Sequence, residues 1–152
     1  MANSATVPTP SGDMESIHLI LLVEDDPNDA FFLTRALSDA GYKGRVRHVT
    51  SSSEAKNYLA GSGPFSDRAA HPAPNLVISD SSLAAASASG VELLEWMRSG
   101  KMAEPFIMLS GSVQDDVRAR AKAAGALRVM IKASDFRETA HELREVLAQL
   151  PG

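Results

Sequence analysis

The chain has 152 residues, with 15 Lys plus Arg against 19 Asp plus Glu and a formal charge of −4. One acidic domain is therefore expected, without the basic face that a nucleic-acid partner requires. There is no cysteine, which excludes thiolate catalysis, Cys-ligated zinc, iron–sulfur clusters and disulfides.

Residues 1–16 are small and polar and include Pro8, Pro10 and Gly12, so they read as a flexible N-terminal arm. They lack the basic region and apolar stretch of a signal peptide. A domain is expected over residues 17–150. IHLILLV (17–23) is a nearly continuous apolar run, as in a strand covered on both faces. Asp26 and Pro27 supply an N-cap and a first-turn proline. Ala30, Leu33, Leu37 and Ala40 follow at helical spacing, and Gly41 ends the helix. RVRHV (45–49) is the second strand, and Ser51 with Glu54 forms a capping box for a helix ending near Gly61.

Residues 61–74 form a long loop with three prolines and two glycines, either a tolerated surface insertion or a functional loop. NLVIS (75–79) is the third strand and stops at Asp80. A run of small residues (81–89) leads to a helix from Gly90 to Arg98, with Val91, Leu94 and Met97 on one face. The fourth strand, PFIML (105–109), stops at Ser110, and a helix from Val113 to Ala124 is closed by Gly125. The fifth strand, LRVMI (127–131), stops at Lys132. Ser134 caps a last helix with Phe136, Ala140, Leu143, Leu147 and Leu150 on one stripe. No apolar run approaches the roughly 20 residues that span a bilayer, so a soluble cytoplasmic protein without a membrane partner is expected.

Five strands alternating with five helices predict one α/β domain, a parallel sheet between two helical layers. Sites in such sheets lie beyond the carboxyl ends of the strands. Those ends carry Glu24, Asp25 and Asp26, then Asp80, Ser110 and Lys132. Glu24, Asp25 and Asp80 would repel one another unless a cation joined them, and hard oxygen donors suit Mg²⁺. A hydroxyl and an ammonium beside such a cluster suit a phosphoryl group. The carboxylate itself can be the nucleophile and form an aspartyl-phosphate. Each residue also has a plainer role: the strand 1 acids can favour a helix N-terminus, Asp26 can be its cap, and Asp80 can close an Asx turn.

These motifs resemble the receiver domain of two-component response regulators. LILLVEDDPND, NLVISDSSL, PFIMLSGS and GALRVMIK are similar, in order, to the family's first, third, fourth and fifth strands with their active-site ends. Asp80 and Ser110 lie 30 positions apart, and Ser110 and Lys132 lie 22 apart, as in the family. The resemblance implies a flavodoxin-like, doubly wound sheet in the order 2-1-3-4-5. It implies Asp80 as phosphoacceptor, Asp25 as a direct Mg²⁺ ligand, Glu24 as an outer-shell one, and Ser82 as the backbone-carbonyl ligand. Lys132 would bind the phosphoryl group and Ser110 would move toward it. Three features depart from the pattern, one being the turn after Asp80, which lacks the usual proline and carries a run of Ala and Ser. Val129 stands where the family has an aromatic switch residue, and Ala133 stands where proline usually follows the lysine.

The implied function is a single-domain response regulator, phosphorylated by a sensor histidine kinase or a phosphotransfer protein. It would act on a downstream protein through its fourth helix, fifth strand and fifth helix, or pass the phosphoryl group on. A homodimer through that face is an alternative contact. The long loop and the SGS turn are similar to those of receivers that accompany bacterial phytochromes or sensor kinases. A haloacid-dehalogenase-type phosphatase is an alternative, but it needs a second acid two positions after Asp80, where Ser82 stands. A receiver-like scaffold that works unphosphorylated is another, motivated by Val129. A flavodoxin-type FMN site lacks the loop that a phosphate needs after strand 1.

Overall fold

The computed structural model describes residues 19–83, 89–111, 115–133 and 135–150. The N-terminal arm and much of the 81–89 turn lie outside them. Five parallel strands form one sheet: β1 (Leu19–Val23), β2 (Arg45–Val49), β3 (Leu76–Asp80), β4 (Phe106–Ser110) and β5 (Arg128–Ile131). Their spatial order is β2-β1-β3-β4-β5, the order implied by the resemblance. The helices are α1 (Pro27–Asp39), α2 (Ser52–Ala60), α3 (Ser89–Ser99), α4 (Asp115–Ala123) and α5 (Phe136–Ala148).

The pleat divides the core in two. Ile20, Leu22, Ile78, Ile107, Leu109 and Met130 point to one face, where α1 and α5 pack. Leu21, Val23, Val77, Phe106 and Met108 point to the other, against α2, α3 and α4. β1 and β3 are buried along their whole length, which is why their sequences do not alternate. β2 is an edge strand and keeps exposed charged positions such as Arg45, which discourages pairing with another chain.

The helix signals work as expected, with two differences, and one strand end also moves. Asp26 caps α1 by accepting the Asn28 N–H at 2.8 Å. Ser51 Oγ accepts the Glu54 N–H at 3.0 Å, but Glu54 Oε1 takes the Thr50 N–H at 2.8 Å and not that of Ser51. The cap of α5 is Asp135, accepting from Arg137 N–H at 2.9 Å. The expected cap, Ser134, lies outside the described residues, and its neighbour carries a carboxylate that bonds the first-turn amide. Asp80 is the last residue of β3, paired in register with Leu109, and so one position further inside the sheet than expected. Just before the strand's start, Asn75 Oδ1 accepts the Leu19 N–H at 3.0 Å and the Asn75 N–H donates to the Leu19 carbonyl at 2.8 Å.

The 61–74 loop is packed. After the left-handed cap at Gly61 (φ 68°) comes a short 3₁₀ turn, Gly63–Phe65. The Tyr58 hydroxyl donates to the Pro72 carbonyl at 2.8 Å, and Arg68 donates to the Tyr58 carbonyl at 2.8 Å. The rings of Tyr58 and Phe65 lie 5.0 Å apart, with His71 edge-on to both. Among the described residues no helix is long and apolar enough to cross a membrane.

Candidate functional site

Parallel strands place all their carboxyl ends on one rim of the sheet. β1 and β3 are neighbours, so Glu24 and Asp80 meet directly. Lys132 follows β5, two strands from β3, a gap of about 10 Å at ordinary strand spacing. Only a long side chain crosses it. The Lys132 ammonium reaches Asp80 Oδ1 at 3.3 Å, Glu24 Oε1 at 3.5 Å and Asp29 Oδ2 at 2.8 Å. Ser110 ends the intervening strand, half-buried, and its carbonyl accepts the Lys132 N–H at 2.7 Å.

Glu24 is fully buried and held from several sides. Its N–H donates to the Val49 carbonyl at 3.0 Å, and its carbonyl accepts from His48 Nε2 at 2.7 Å. A carbonyl can only accept, so Nε2 of His48 carries the proton. The Glu24 carboxylate accepts the Asp26 N–H at 3.1 Å. Asp25, next in the chain, is exposed. Carboxylate oxygens of Glu24, Asp25 and Asp80 all lie within 4.8 Å of one another. That all-oxygen, anionic donor set fits a hard divalent cation such as Mg²⁺, which binds through one or two carboxylates and keeps several waters.

Burial dominates the electrostatics. It pushes the Glu24 carboxyl up to about 7; the Asp26 N–H opposes that shift and the Asp80 charge adds to it. Asp80 is also raised by burial, against the Lys132 charge and the backbone N–H groups of Ser82 and Ser81. Burial works against the Lys132 ammonium, but the hydrogen bond to Asp29 and the charges of Asp80 and Glu24 outweigh it and raise its pKa. The pocket is thus an acidic cluster incompletely neutralised by one lysine.

The structure brings together Glu24, Asp25, Asp80 and Lys132, and it places Ser110 and the exposed Ser82 at the same rim. Val129 lies under the rim, packed against the core cluster of α3 and α4. Every peptide bond among the described residues is trans, including the one that joins Lys132 to Ala133. Three contributors escape a sequence reading. Asp29 is the shortest partner of Lys132, and His48 clamps the Glu24 backbone. Gly90, the second residue of α3, lies so close to the end of β3 that a Cβ there would collide with the Asp80 carbonyl oxygen. A glycine inside a helix start was the only available signal for the last.

Comparison with known proteins gives the same picture. A response regulator in red light signaling of R. palustris superposes with a TM-score of 0.76 at 22% identity, covering 90% of this chain and 99% of that one. The Mn²⁺-bound form of response regulator Rcp1 gives 0.75 at 18% identity, covering 89% and 99%. The non-phosphorylated HemR receiver domain of Leptospira biflexa gives 0.67 at 27% identity, covering 89% and 98%. No curated protein matches the chain. The sequence profile of the response regulator receiver domain matches residues 20–144, nearly the whole of the folded region with its acidic rim, and the chain belongs to that family of two-component signalling domains.

Proposed function

We propose that the protein is a phosphorylation-controlled signalling module whose phosphoacceptor is Asp80. The observation that carries this is the Asp80 carboxylate, 6% exposed at the end of β3, with the Lys132 ammonium at 3.3 Å. An Asp80 oxygen forms a bond to phosphorus while the P–N bond of a phosphohistidine breaks, and the imidazole leaves with the electron pair and takes up a proton. Hydrolysis breaks the new O–P bond, with water as nucleophile, and returns the carboxylate and inorganic phosphate. The donor is a sensor histidine kinase or a phosphotransfer protein.

Asp25 and Asp80 would hold Mg²⁺ directly, with Glu24 behind them and the Ser82 carbonyl beside them. When bound, the ion supplies charge neutralisation for the phosphoryl oxygens. Lys132 binds one of those oxygens and the Ser110 hydroxyl another. The arrangement suits a cytoplasmic protein whose output is contact with a downstream protein or onward transfer, not turnover of a small substrate. Residues 17–150 act as the receiver domain. Val129 offers no ring to swing into space that Ser110 vacates, and its β-branched side chain has few χ1 choices. The signal therefore leaves through the segments after Ser110 and Lys132.

Intact-mass measurement after incubation with acetyl phosphate and Mg²⁺ tests this reading. One acid-labile phosphoryl group is expected on the wild type and none on Asp80→Asn. An adduct that survives the substitution moves the nucleophile elsewhere. Asp25→Asn should weaken Mg²⁺ binding by titration, and an unchanged affinity removes that residue from the metal site.

A further inference from the structure

Asp29 lies in the first turn of α1, the third helical residue after the Asp26 cap, where the helix dipole favours an anion. Its carboxylate is the nearest of the three that share the Lys132 ammonium: 2.8 Å, against 3.3 Å to Asp80 and 3.5 Å to Glu24. That length is typical of a charge-assisted hydrogen bond. Asp29 is also the most exposed of the three, with 43% of its side-chain surface open, so pairing with the lysine costs it little desolvation. Beside the pair lies a cavity of about 50 Å³, lined by Asp29, Leu33, Lys132 and Thr139 among others. The Thr139 hydroxyl is buried without a hydrogen-bond partner. The ammonium therefore has free volume next to it and is not wedged in one place.

We propose that Asp29 is a positioning residue that holds the Lys132 ammonium on the first turn of α1, draws it away from Asp80, and so slows phosphoryl transfer to Asp80. This rests on Asp80 being the phosphoacceptor. During transfer from acetyl phosphate, an Asp80 oxygen bonds phosphorus, the P–O bond to the acetyl group breaks, and acetate leaves with the electron pair. Negative charge spreads over the phosphoryl oxygens in that step, and an ammonium divided among three carboxylates neutralises it less than one committed to the donor. Lys132 has three donors and three carboxylates to serve, so each phosphoryl contact displaces a resident one.

The test is the initial rate of Asp80 phosphorylation by acetyl phosphate and Mg²⁺, read by intact mass on the full chain. Asp29→Asn and Asp29→Ala should be faster by about threefold, the scale of a partly exposed ion pair. Asp29→Glu, which keeps the charge, should stay near the wild-type rate. The gain should persist at about 0.5 M salt, where repulsion of the donor by a distant charge is screened. An unchanged or slower rate in Asp29→Asn, or a gain that disappears in salt, overturns the proposal. The hold itself is read separately from the NMR signal of the Lys132 ammonium, assigned by its loss in Lys132→Arg. Asp29→Asn should shift that signal, and an unmoved signal also overturns the proposal. Failure of the wild type to accept a phosphoryl group, with the ammonium signal still shifted, instead places the fault with the assignment of Asp80.

Discussion

Glu24→Gln should make the metal-free protein more stable at pH 8. Glu24 is fully buried, and burial raises its carboxyl from the ordinary 4.5 to about 7. A folded-state pKa above the unfolded value means that the folded protein favours the protonated form. The stability this contributes is fully present below about pH 4.5 and is lost as the pH rises through about 7. The shift corresponds to about 3 kcal/mol at 1.36 kcal/mol per unit, taken as an upper bound. Glutamine keeps the shape and can still accept the Asp26 N–H, while Lys132 retains Asp29 and Asp80. Urea unfolding in EDTA should therefore show the variant up to about 3 kcal/mol more stable at pH 8 and nearly equal to the wild type at pH 4.5. In a melt at pH 8 the gain should appear as roughly 5–10 °C in Tm. Adding Mg²⁺ at pH 8 should stabilise the wild type more than the variant, because the ion binds the folded cluster. A variant no more stable than the wild type at pH 8, or an unchanged slope of stability between pH 5 and 8, would refute the reasoning.

Gly90→Ala should lower stability by about 1–3 kcal/mol, since its Cβ meets the Asp80 carbonyl and overpacking strains the backbone; Asp80 phosphorylation should slow with it, read by denaturant unfolding and intact mass. Arg68→Ala should cost about 1–3 kcal/mol by leaving the Tyr58 and Phe65 carbonyls without their guanidinium donor. Hydrogen exchange should then rise across residues 61–74 while the rate of Asp80 phosphorylation stays the same. A faster exchange confined to other segments would show that the loop does not depend on this arginine.

Periodicity and turn chemistry, both local, already declare the order of elements in the chain. The unbroken apolar runs of β1 and β3 announce strands buried on both faces, and Asp26, Ser51 and Gly61 mark helix ends by their own hydrogen bonds and backbone angles. The rim residues Glu24, Asp25, Asp80, Ser110 and Lys132 are legible for a related reason: in a parallel sheet, the position after each strand is also a position in the site. What the sequence leaves open depends on distances between elements that lie far apart in the chain. Nothing local says that Asp29 on α1 lies 2.8 Å from a lysine 103 positions later, or that His48 on β2 clamps the backbone of Glu24. The collision that makes Gly90 a glycine is set by how α3 seats on the end of β3. The pKa of Glu24 is likewise a property of the packed protein: burial raises it most, and the charges of Asp80 and Asp29, brought near by the fold, add to that. The sequence by itself determined which groups stand at the rim. Tertiary packing decided how close they stand, how burial favours the neutral forms of Glu24 and Asp80, and which carboxylate lies nearest the lysine.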